Sequence, residues 1–182
     1  MSLILHLGPM YSGKSTELIR QVLIESIVNT KFLIINSELD ERYTKDNFVY
    51  SHSHDKYTCL SVKMLSDIDD NIIEGVSKIY IEESHFFDDL SENVLKWVAL
   101  GKHVNIFGLN GDYARKPFPE INALISHADD IKMYKSKCEI CKDGTDAIFS
   151  LRLGDSKDKI LVGTKKDYIP VCRTCYQKNN KS

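Results

Sequence analysis

The stretch that decides the fold is Leu3-Ile4-Leu5-His6-Leu7-Gly8-Pro9-Met10-Tyr11-Ser12-Gly13-Lys14-Ser15-Thr16. Its second half matches the phosphate-binding loop G-x-x-x-x-G-K-[ST], which connects a buried strand to a helix. The apolar run before it predicts the strand, and apolar residues at helical spacing after Lys14 predict the helix. Backbone N–H groups of such a loop surround phosphate oxygens. We expect residues 8–16 to bind a nucleotide polyphosphate, with Lys14 at the β/γ-phosphates and Ser15 on Mg²⁺.

Composition narrows the class of protein. The chain has 182 residues, 42% of them hydrophobic, which suits one domain with a small appendage. Its net charge of −2 gives no general attraction to nucleic acid or to a membrane surface. No apolar run approaches the roughly 20 residues needed to span a bilayer, and no signal peptide is apparent. We expect a soluble cytoplasmic protein, in the host cytoplasm if viral. For its five cysteines as a group, metal binding is favoured over disulfide formation.

Apolar runs alternate with helical patterns along the first three quarters of the chain. The expected strands cover residues 3–7, 32–35, 78–81, 104–109 and 131–134, and the expected helices 14–27, 67–75, 91–100 and 121–128. Residues 44–58 are polar and predict a loop. The first helix has an apolar face of Leu18, Ile19, Val22, Leu23 and Ile27, and we expect His6, Trp97 and Met133 in the core. This alternation predicts an α/β fold, a mostly parallel sheet flanked by helices.

Two carboxylates, Glu82 and Glu83, end the apolar strand at residues 78–81. Beside a phosphate-binding loop, a carboxylate at a strand end holds Mg²⁺, commonly through water. A second carboxylate there can take a proton from an attacking hydroxyl. Without the loop, the pair would be read as solvated acids at a sheet edge.

Two C-x-x-C pairs, Cys138 with Cys141 and Cys172 with Cys175, supply four thiolates for a tetrahedral zinc ion. A site with four cysteine ligands has no open position, so this zinc is expected to be structural and to close the intervening loop. The remaining cysteine, Cys59, is expected to be a plain thiol. We therefore divide the chain into an ATP-binding α/β domain, residues 1–134, and a small zinc-binding subdomain, residues 135–182.

Part of the zinc-closed loop imitates the guanine-reading element [NT]-K-x-D of GTPases, at Thr164-Lys165-Lys166-Asp167. This element lies outside the predicted core strands, and the D-x-x-G switch of GTPases is replaced by Glu-Glu-Ser-His. A GTPase is therefore disfavoured. Another class remains open, a nucleotide-dependent switch without catalysis whose zinc ribbon binds a partner.

Three aromatic residues follow predicted strand ends and could enclose a planar base: Phe86, Tyr113 and Phe118. Ligands of α/β sheets bind at this edge. An ordinary core role is the alternative for each ring.

Taken together, these motifs resemble one family, the type II thymidine kinases of cells and poxviruses. The matching stretches are G-P-M-Y-S-G-K-S-T at 8–16, D-E-R-Y at 40–43, E-E-S-H-F-F at 82–87, G-L-N-G-D-Y-A-R-K-P-F at 108–118 and the two cysteine pairs, the second within V-C-R-T-C-Y. The resemblance implies a RecA-like P-loop domain with a zinc-bearing flap called the lasso. It also implies an ATP:thymidine 5′-phosphotransferase that makes thymidine monophosphate for DNA synthesis.

Residue roles follow from the resemblance. Glu83 matches the catalytic base, Ser15, Asp40 and Glu82 the Mg²⁺ surroundings, and Arg42 a group that stabilises phosphate charge. The thymidine pocket corresponds to Met10, Phe86, Leu109, Tyr113, Phe118, Ser150, Leu161, Gly163 and Tyr168. The family further implies feedback inhibition by thymidine triphosphate and a homotetramer.

Two positions depart from the family pattern. Glu82 stands where the family usually has Asp, and His85 stands where it usually has Gln. The short stretch after the second cysteine pair resembles viral or bacterial forms, which lack the regulatory tail of animal members.

Overall fold

Six parallel strands form the main sheet of the protein. The computed structural model describes residues 1–39, 48–50, 56–153 and 167–179, and of residues 48–50 and 56 only the backbone. The sheet comprises β1 (Ser2–Leu7), β2 (Phe32–Ser37), β5 (Leu60–Val62), β6 (Lys78–Ile81), β7 (His103–Gly108) and β8 (Asp130–Met133). Their spatial order is β5-β2-β6-β7-β1-β8, and every neighbouring pair is parallel. The predicted α/β class is confirmed.

Helices cover both faces of this sheet: α1 (Lys14–Ile27), α2 (Asp70–Glu74), α3 (Leu90–Ala99) and α4 (Pro119–Leu124). Successive strand residues point to opposite faces, so each face has its own core. On one face, α1 packs Leu18 and Val22 against Tyr80 and Phe107. On the other face, α2, α3 and α4 pack around Trp97, which is almost fully buried.

The strand order sets the position of the site. In a parallel sheet, all carboxyl ends lie at one edge, where ligands of α/β proteins bind. Strand β7 lies between β1, which leads into the phosphate loop, and β6, which ends before Glu82. Three segments distant in sequence therefore leave the sheet side by side: residues 8–16, 82–87 and 109–118.

The last quarter of the chain forms smaller sheets. Strand β9 (Ser136–Lys137) pairs with β10 (Asp146–Ala147), and β11 (Phe149–Arg152) pairs with β12 (Tyr168–Val171), both antiparallel. Helix α5 (Arg173–Asn179) follows. A hydrophobic cluster of their own links these elements, with Ala147, Val171 and Tyr176 at its centre.

The structure corrects several expectations about the fold. Strand β8 lies at the sheet edge, so Met133 is 58% exposed and the prediction of a core residue was wrong. Ile27 and Leu23 are exposed although they share the helical spacing of the buried residues Leu18 and Val22. His6 and Trp97 are buried, as predicted.

The region predicted as a loop also contains strands. Strand β3 (Phe48–Tyr50) pairs with β4 (Lys56–Thr58) in an antiparallel ribbon. Just beyond that region, β5 adds an edge to the main sheet. No helix in the described ranges has the length and apolar character needed to cross a membrane.

Candidate active site

The phosphate loop adopts a tight turn between β1 and α1. Tyr11 and Gly13 take left-handed backbone angles, with φ of 62° and 85°. A side chain at Gly8 could not be accommodated, because its Cβ would lie 2.7 Å from the backbone oxygen of Tyr134. The Lys14 ammonium is buried and donates to the carbonyl oxygens of Gly8, at 3.2 Å, and Pro9, at 2.9 Å. The lysine thus lies across the loop that carries it.

One further atom of the loop suits an anionic ligand. The Oγ of Ser12 is buried and has no hydrogen-bond partner among the described residues. A buried hydroxyl is costly to leave unpaired. A phosphate oxygen in the loop would accept a hydrogen bond from this hydroxyl, which fits the predicted function of residues 8–16.

The acidic pair meets the phosphate loop at the end of β6. The Ser15 hydroxyl donates to the Oε1 of Glu82, which is buried. A serine hydroxyl and a carboxylate are the oxygen donors that Mg²⁺ prefers, and such sites commonly retain several waters. Ser15 and Glu82 therefore fit a magnesium ion associated with a nucleotide.

Glu83 adopts an unusual backbone conformation. Its φ and ψ are 46° and 38°, in the left-handed region that residues with a side chain rarely occupy. The turn ends β6 abruptly and begins a 3₁₀ turn at Ser84–Phe86. The hydroxyl of Ser84 fastens this turn to β7 by donating to the carbonyl oxygen of Phe107 at 2.9 Å. Glu83 is therefore held at the strand end by a backbone under strain.

His85, which replaces the glutamine usual in the family, lies next to Glu83, the candidate base. Its Nδ1 is 3.6 Å from Oε2 of Glu83, and its side chain is only 4% exposed. The ring packs between Phe86, with centroids 4.3 Å apart, and Phe118, at 4.9 Å. Phe86 and Phe118 thus both contact the imidazole of His85, and Phe118 is largely buried.

Two tyrosines predicted for the nucleoside pocket, Tyr113 and Tyr168, are bridged by Arg152. The guanidinium carbon lies 3.8 Å from the centroid of the Tyr113 ring and 5.1 Å from that of Tyr168. Nε of Arg152 also donates to the hydroxyl of Tyr168 at 2.9 Å. The structure therefore brings these two rings together across one cation.

Ser150 joins the phosphate loop to the C-terminal part of the chain. Its hydroxyl accepts a hydrogen bond from the backbone N–H of Met10 at 3.0 Å, and the serine is buried on β11. Leu109, the other apolar candidate for the pocket, is half-buried directly after β7. Met10 and Ser150, which are far apart in sequence, are thus neighbours.

The four paired cysteines come together as a candidate metal centre. Their sulfur atoms all lie within 4.8 Å of one another, and Sγ of Cys141 is 3.8 Å from that of Cys172 and 3.4 Å from that of Cys175. Tetrahedral zinc with bonds of about 2.3 Å would place sulfurs about 3.8 Å apart. Burial raises the pKa of Cys138, but hydrogen bonds from backbone N–H groups outweigh it, so that the pKa is lowered overall. The residues fit a structural zinc ion.

Some predicted site residues cannot be placed. Asp40, Arg42, Leu161 and Gly163 lie outside the described residues. Thr16, which was expected to contact phosphate, is exposed on the first turn of α1.

Sequence reasoning missed two residues that contact the site. Arg152 and Tyr176 both touch the segment that carries Tyr113: the Tyr176 hydroxyl donates to the backbone oxygen of Tyr113. An aromatic residue directly after a zinc-ligand cysteine was the one available signal for Tyr176.

Comparisons with known proteins identify the family of the chain. The family model described as thymidine kinase matches residues 1–176. The thymidine kinase of Myxoma virus (strain Uriarra) is 37% identical over 172 residues, which cover 93% of each chain. Thymidine kinase 1 of Dictyostelium discoideum is 35% identical over 172 residues, covering 93% of this chain and 74% of its own. The thymidine kinase of rice, Oryza sativa subsp. japonica, is 35% identical over 175 residues, covering 93% and 64%. The chain belongs to the thymidine kinase family.

Proposed function

We propose that this protein transfers the γ-phosphate of ATP to the 5′-hydroxyl of thymidine, which yields thymidine monophosphate and ADP. The observation that supports this most is the meeting of the phosphate loop with the acidic pair. The Ser15 hydroxyl bonds to Glu82, and Glu83 follows on a sharp turn at the same strand end. A nucleotide cradle and a carboxylate thus lie side by side, as phosphoryl transfer to a hydroxyl requires.

In this mechanism, the loop at residues 8–16 binds the ATP phosphates. Lys14 exchanges its contacts with the Gly8 and Pro9 carbonyls for contacts with phosphate oxygens. Ser15, Glu82 and Asp40 would hold magnesium, which when bound neutralises charge on the β- and γ-phosphates. Arg42 adds positive charge to the transferred group.

Glu83 acts on the nucleoside. Its carboxylate accepts the proton of the 5′-hydroxyl as that oxygen bonds to the γ-phosphorus, and the bond to the β-phosphate oxygen breaks to release ADP. Phe86 and Tyr113 flank the thymine ring. The remaining pocket residues are Met10, Leu109, Phe118, Ser150, Leu161, Gly163 and Tyr168.

We also propose that zinc occupies the four-cysteine site and that the division at residues 134 and 135 separates two structural units. Sulfur donors at tetrahedral spacing support zinc. The separate small sheets and the separate hydrophobic cluster of the C-terminal part support the division.

A homotetramer in the cytoplasm, inhibited by thymidine triphosphate, completes the proposal. Apolar side chains exposed on and just after α1 support association with further copies of the chain: Leu23, Ile24, Ile27 and Val28. Analytical ultracentrifugation measures the assembly directly, and a monomer at micromolar concentration would contradict it.

The decisive experiment is a phosphate-transfer assay with γ-³²P-labelled ATP and a panel of nucleosides. We expect labelled product from thymidine, and little from purine nucleosides. Glu83→Gln should lower kcat by about 100-fold or more, because the hydroxyl loses its proton acceptor. Glu92→Gln, an exposed change on α3, is the matched control.

Three outcomes would count against the proposal. Absence of transfer to any nucleoside would exclude the kinase activity. Preference for a purine nucleoside would exclude the substrate. Near-normal turnover in Glu83→Gln would exclude Glu83 as the base.

A further inference from the structure

The turn at residues 110–115, which we call the Tyr113 turn, has a rigid internal structure. Asp112 is buried, and its Oδ1 accepts hydrogen bonds from the backbone N–H groups of Ala114 and Lys116, both at 2.8 Å. The backbone N–H of Asp112 in turn donates to the carbonyl oxygen of Lys116 at 2.9 Å. These hydrogen bonds fix the internal shape of the turn, and its position relative to the rest of the protein depends on contacts with neighbouring elements.

The contacts that hold it come from the C-terminal part of the chain. The Asn110 side-chain amide donates to the carbonyl oxygen of Ile148 at 3.4 Å. Arg152 lies 3.8 Å above the ring of Tyr113. Tyr176 makes the third contact, from its hydroxyl to the backbone oxygen of Tyr113. A segment that leaves the main sheet is thus docked on the elements around the metal centre.

Tyr176 is the most buried of the three residues that make these contacts. Its side chain is 1% exposed, and its ring contacts both Phe149, with centroids 5.0 Å apart, and the guanidinium of Arg115, at 4.7 Å. It directly follows Cys175, and its backbone N–H donates to the carbonyl oxygen of Cys172 at 2.9 Å. The position of the hydroxyl is therefore set by the two cysteines at the start of α5.

We propose that Tyr176 is a positioning residue for the nucleoside. Tyr176 links the metal centre to the ring of Tyr113. The metal centre fixes the start of α5, α5 fixes the Tyr176 hydroxyl, and that hydroxyl fixes the backbone of Tyr113. The inference rests on the proposed placing of Tyr113 against the thymine ring.

Tyr176→Phe tests the link with the smallest change. Phenylalanine keeps the packing with Phe149 and Arg115 but removes the donor to Tyr113, so the turn loses one of its outside contacts. Substrate and transition state both bind the displaced ring less well, so KM rises while kcat is kept. A lost hydrogen bond of about 1.4 kcal/mol corresponds to a tenfold rise in the thymidine KM.

The assay uses the full chain loaded with metal. For each variant we would measure kcat and KM for thymidine and ATP, the thymidine Kd by calorimetry, the metal content and the melting temperature. We expect Tyr176→Phe to raise the thymidine KM and Kd about tenfold, with kcat, ATP KM and metal content unchanged.

Tyr80→Phe is the matched control. Tyr80 is as buried as Tyr176, and its hydroxyl donates to Glu25 at 3.4 Å, on the α1 side of the sheet. The Tyr80→Phe variant loses a buried tyrosine hydroxyl far from the proposed nucleoside pocket, so its thymidine KM should match that of the wild type. Arg115→Met is a second variant, on an exposed side chain, and should raise the thymidine KM in the same direction.

Tyr113→Leu separates failure of this inference from failure of the proposed function. If Tyr113→Leu leaves the thymidine KM unchanged, the placing of Tyr113 is wrong and the inference falls with it. If Tyr113→Leu raises KM but Tyr176→Phe and Arg115→Met do not, only the link through Tyr176 is refuted. Loss of metal, or an equal rise in the ATP KM, in Tyr176→Phe would also refute it, because the residue would then be merely structural.

Discussion

The buried imidazole of His6 should make stability depend on pH. The ring is fully buried on β1 and stacks on Phe107, with centroids 4.1 Å apart and planes at 9°. A neutral ring with its proton on Nε2 satisfies both neighbours, because Nε2–H donates to Oδ1 of Asn105 at 3.2 Å and Nδ1 accepts from the hydroxyl of Tyr134 at 2.9 Å. Burial lowers the pKa of His6 from 6.5 to about 4.

The magnitude follows from that shift. Between pH 6.5 and 4, the unfolded chain protonates His6 and the folded chain does not, so the unfolded state binds more protons there. The contribution of a neutral His6 is therefore fully present above pH 6.5 and is lost as the pH falls toward 4. At pH 5, linkage gives a loss of about 2 kcal/mol relative to pH 8. Since small proteins are stable by about 5–15 kcal/mol, the loss is measurable.

Urea denaturation of wild type and His6→Gln between pH 8 and pH 5 checks this. The variant carries no titrating group at position 6, so its free energy of unfolding should fall by about 2 kcal/mol less than that of wild type. His127→Gln, at an exposed position, is the control for histidine removal. Ring-proton NMR of the folded wild type supplies a second reading. Parallel pH curves for wild type and His6→Gln, or a His6 midpoint near 6.5, would refute the reasoning.

Two further changes probe the site and the metal centre. Gly108→Ala should lower the free energy of unfolding by about 1–3 kcal/mol and reduce turnover, because the new Cβ would lie 2.5 Å from Oγ of Ser84, next to Glu83. Chemical denaturation should show a smaller loss when Ser84→Ala removes that oxygen, and an equal loss in both backgrounds would contradict the clash. Cys172→Ser should abolish stoichiometric metal binding and raise the thymidine KM far more than the ATP KM, as measured by metal analysis and steady-state kinetics; an unchanged thymidine KM would argue against a structural role for the centre.

Local patterns predicted the central strands well, because each is a continuous apolar run in a parallel sheet covered on both faces. Strand β6 begins at Lys78, as expected, and α1 begins at Lys14. The edge of the sheet could not be predicted in the same way. Met133 is apolar and follows a strand pattern, but its exposure depends on the strand order, which places β8 outside β1. Strand order is a property of the whole chain and is absent from any short window.

In the candidate site as well, local motifs could be predicted and long-range contacts could not. The phosphate loop and the cysteine pairs are short motifs with specific spacings. The loop meets Glu82 at the end of β6, and the four cysteines meet one another at a different place. The contacts of Ser150 with Met10 and of Tyr176 with Tyr113 link residues more than sixty positions apart. The family resemblance already places Met10 and Ser150 in one pocket, but no spacing in the sequence indicates either hydrogen bond.

The location of β1 in the sheet bears on synthesis of the protein. Among the described strands, β1 pairs only with β7 and β8, which the ribosome makes last of the six. The first strand and the phosphate loop emerge first, yet β1 has no partner until about residue 108 has left the exit tunnel, and it lacks its second partner until about residue 133. Until then the apolar first strand has no complete sheet to pair with, which is the kind of exposed strand that favours aggregation during synthesis.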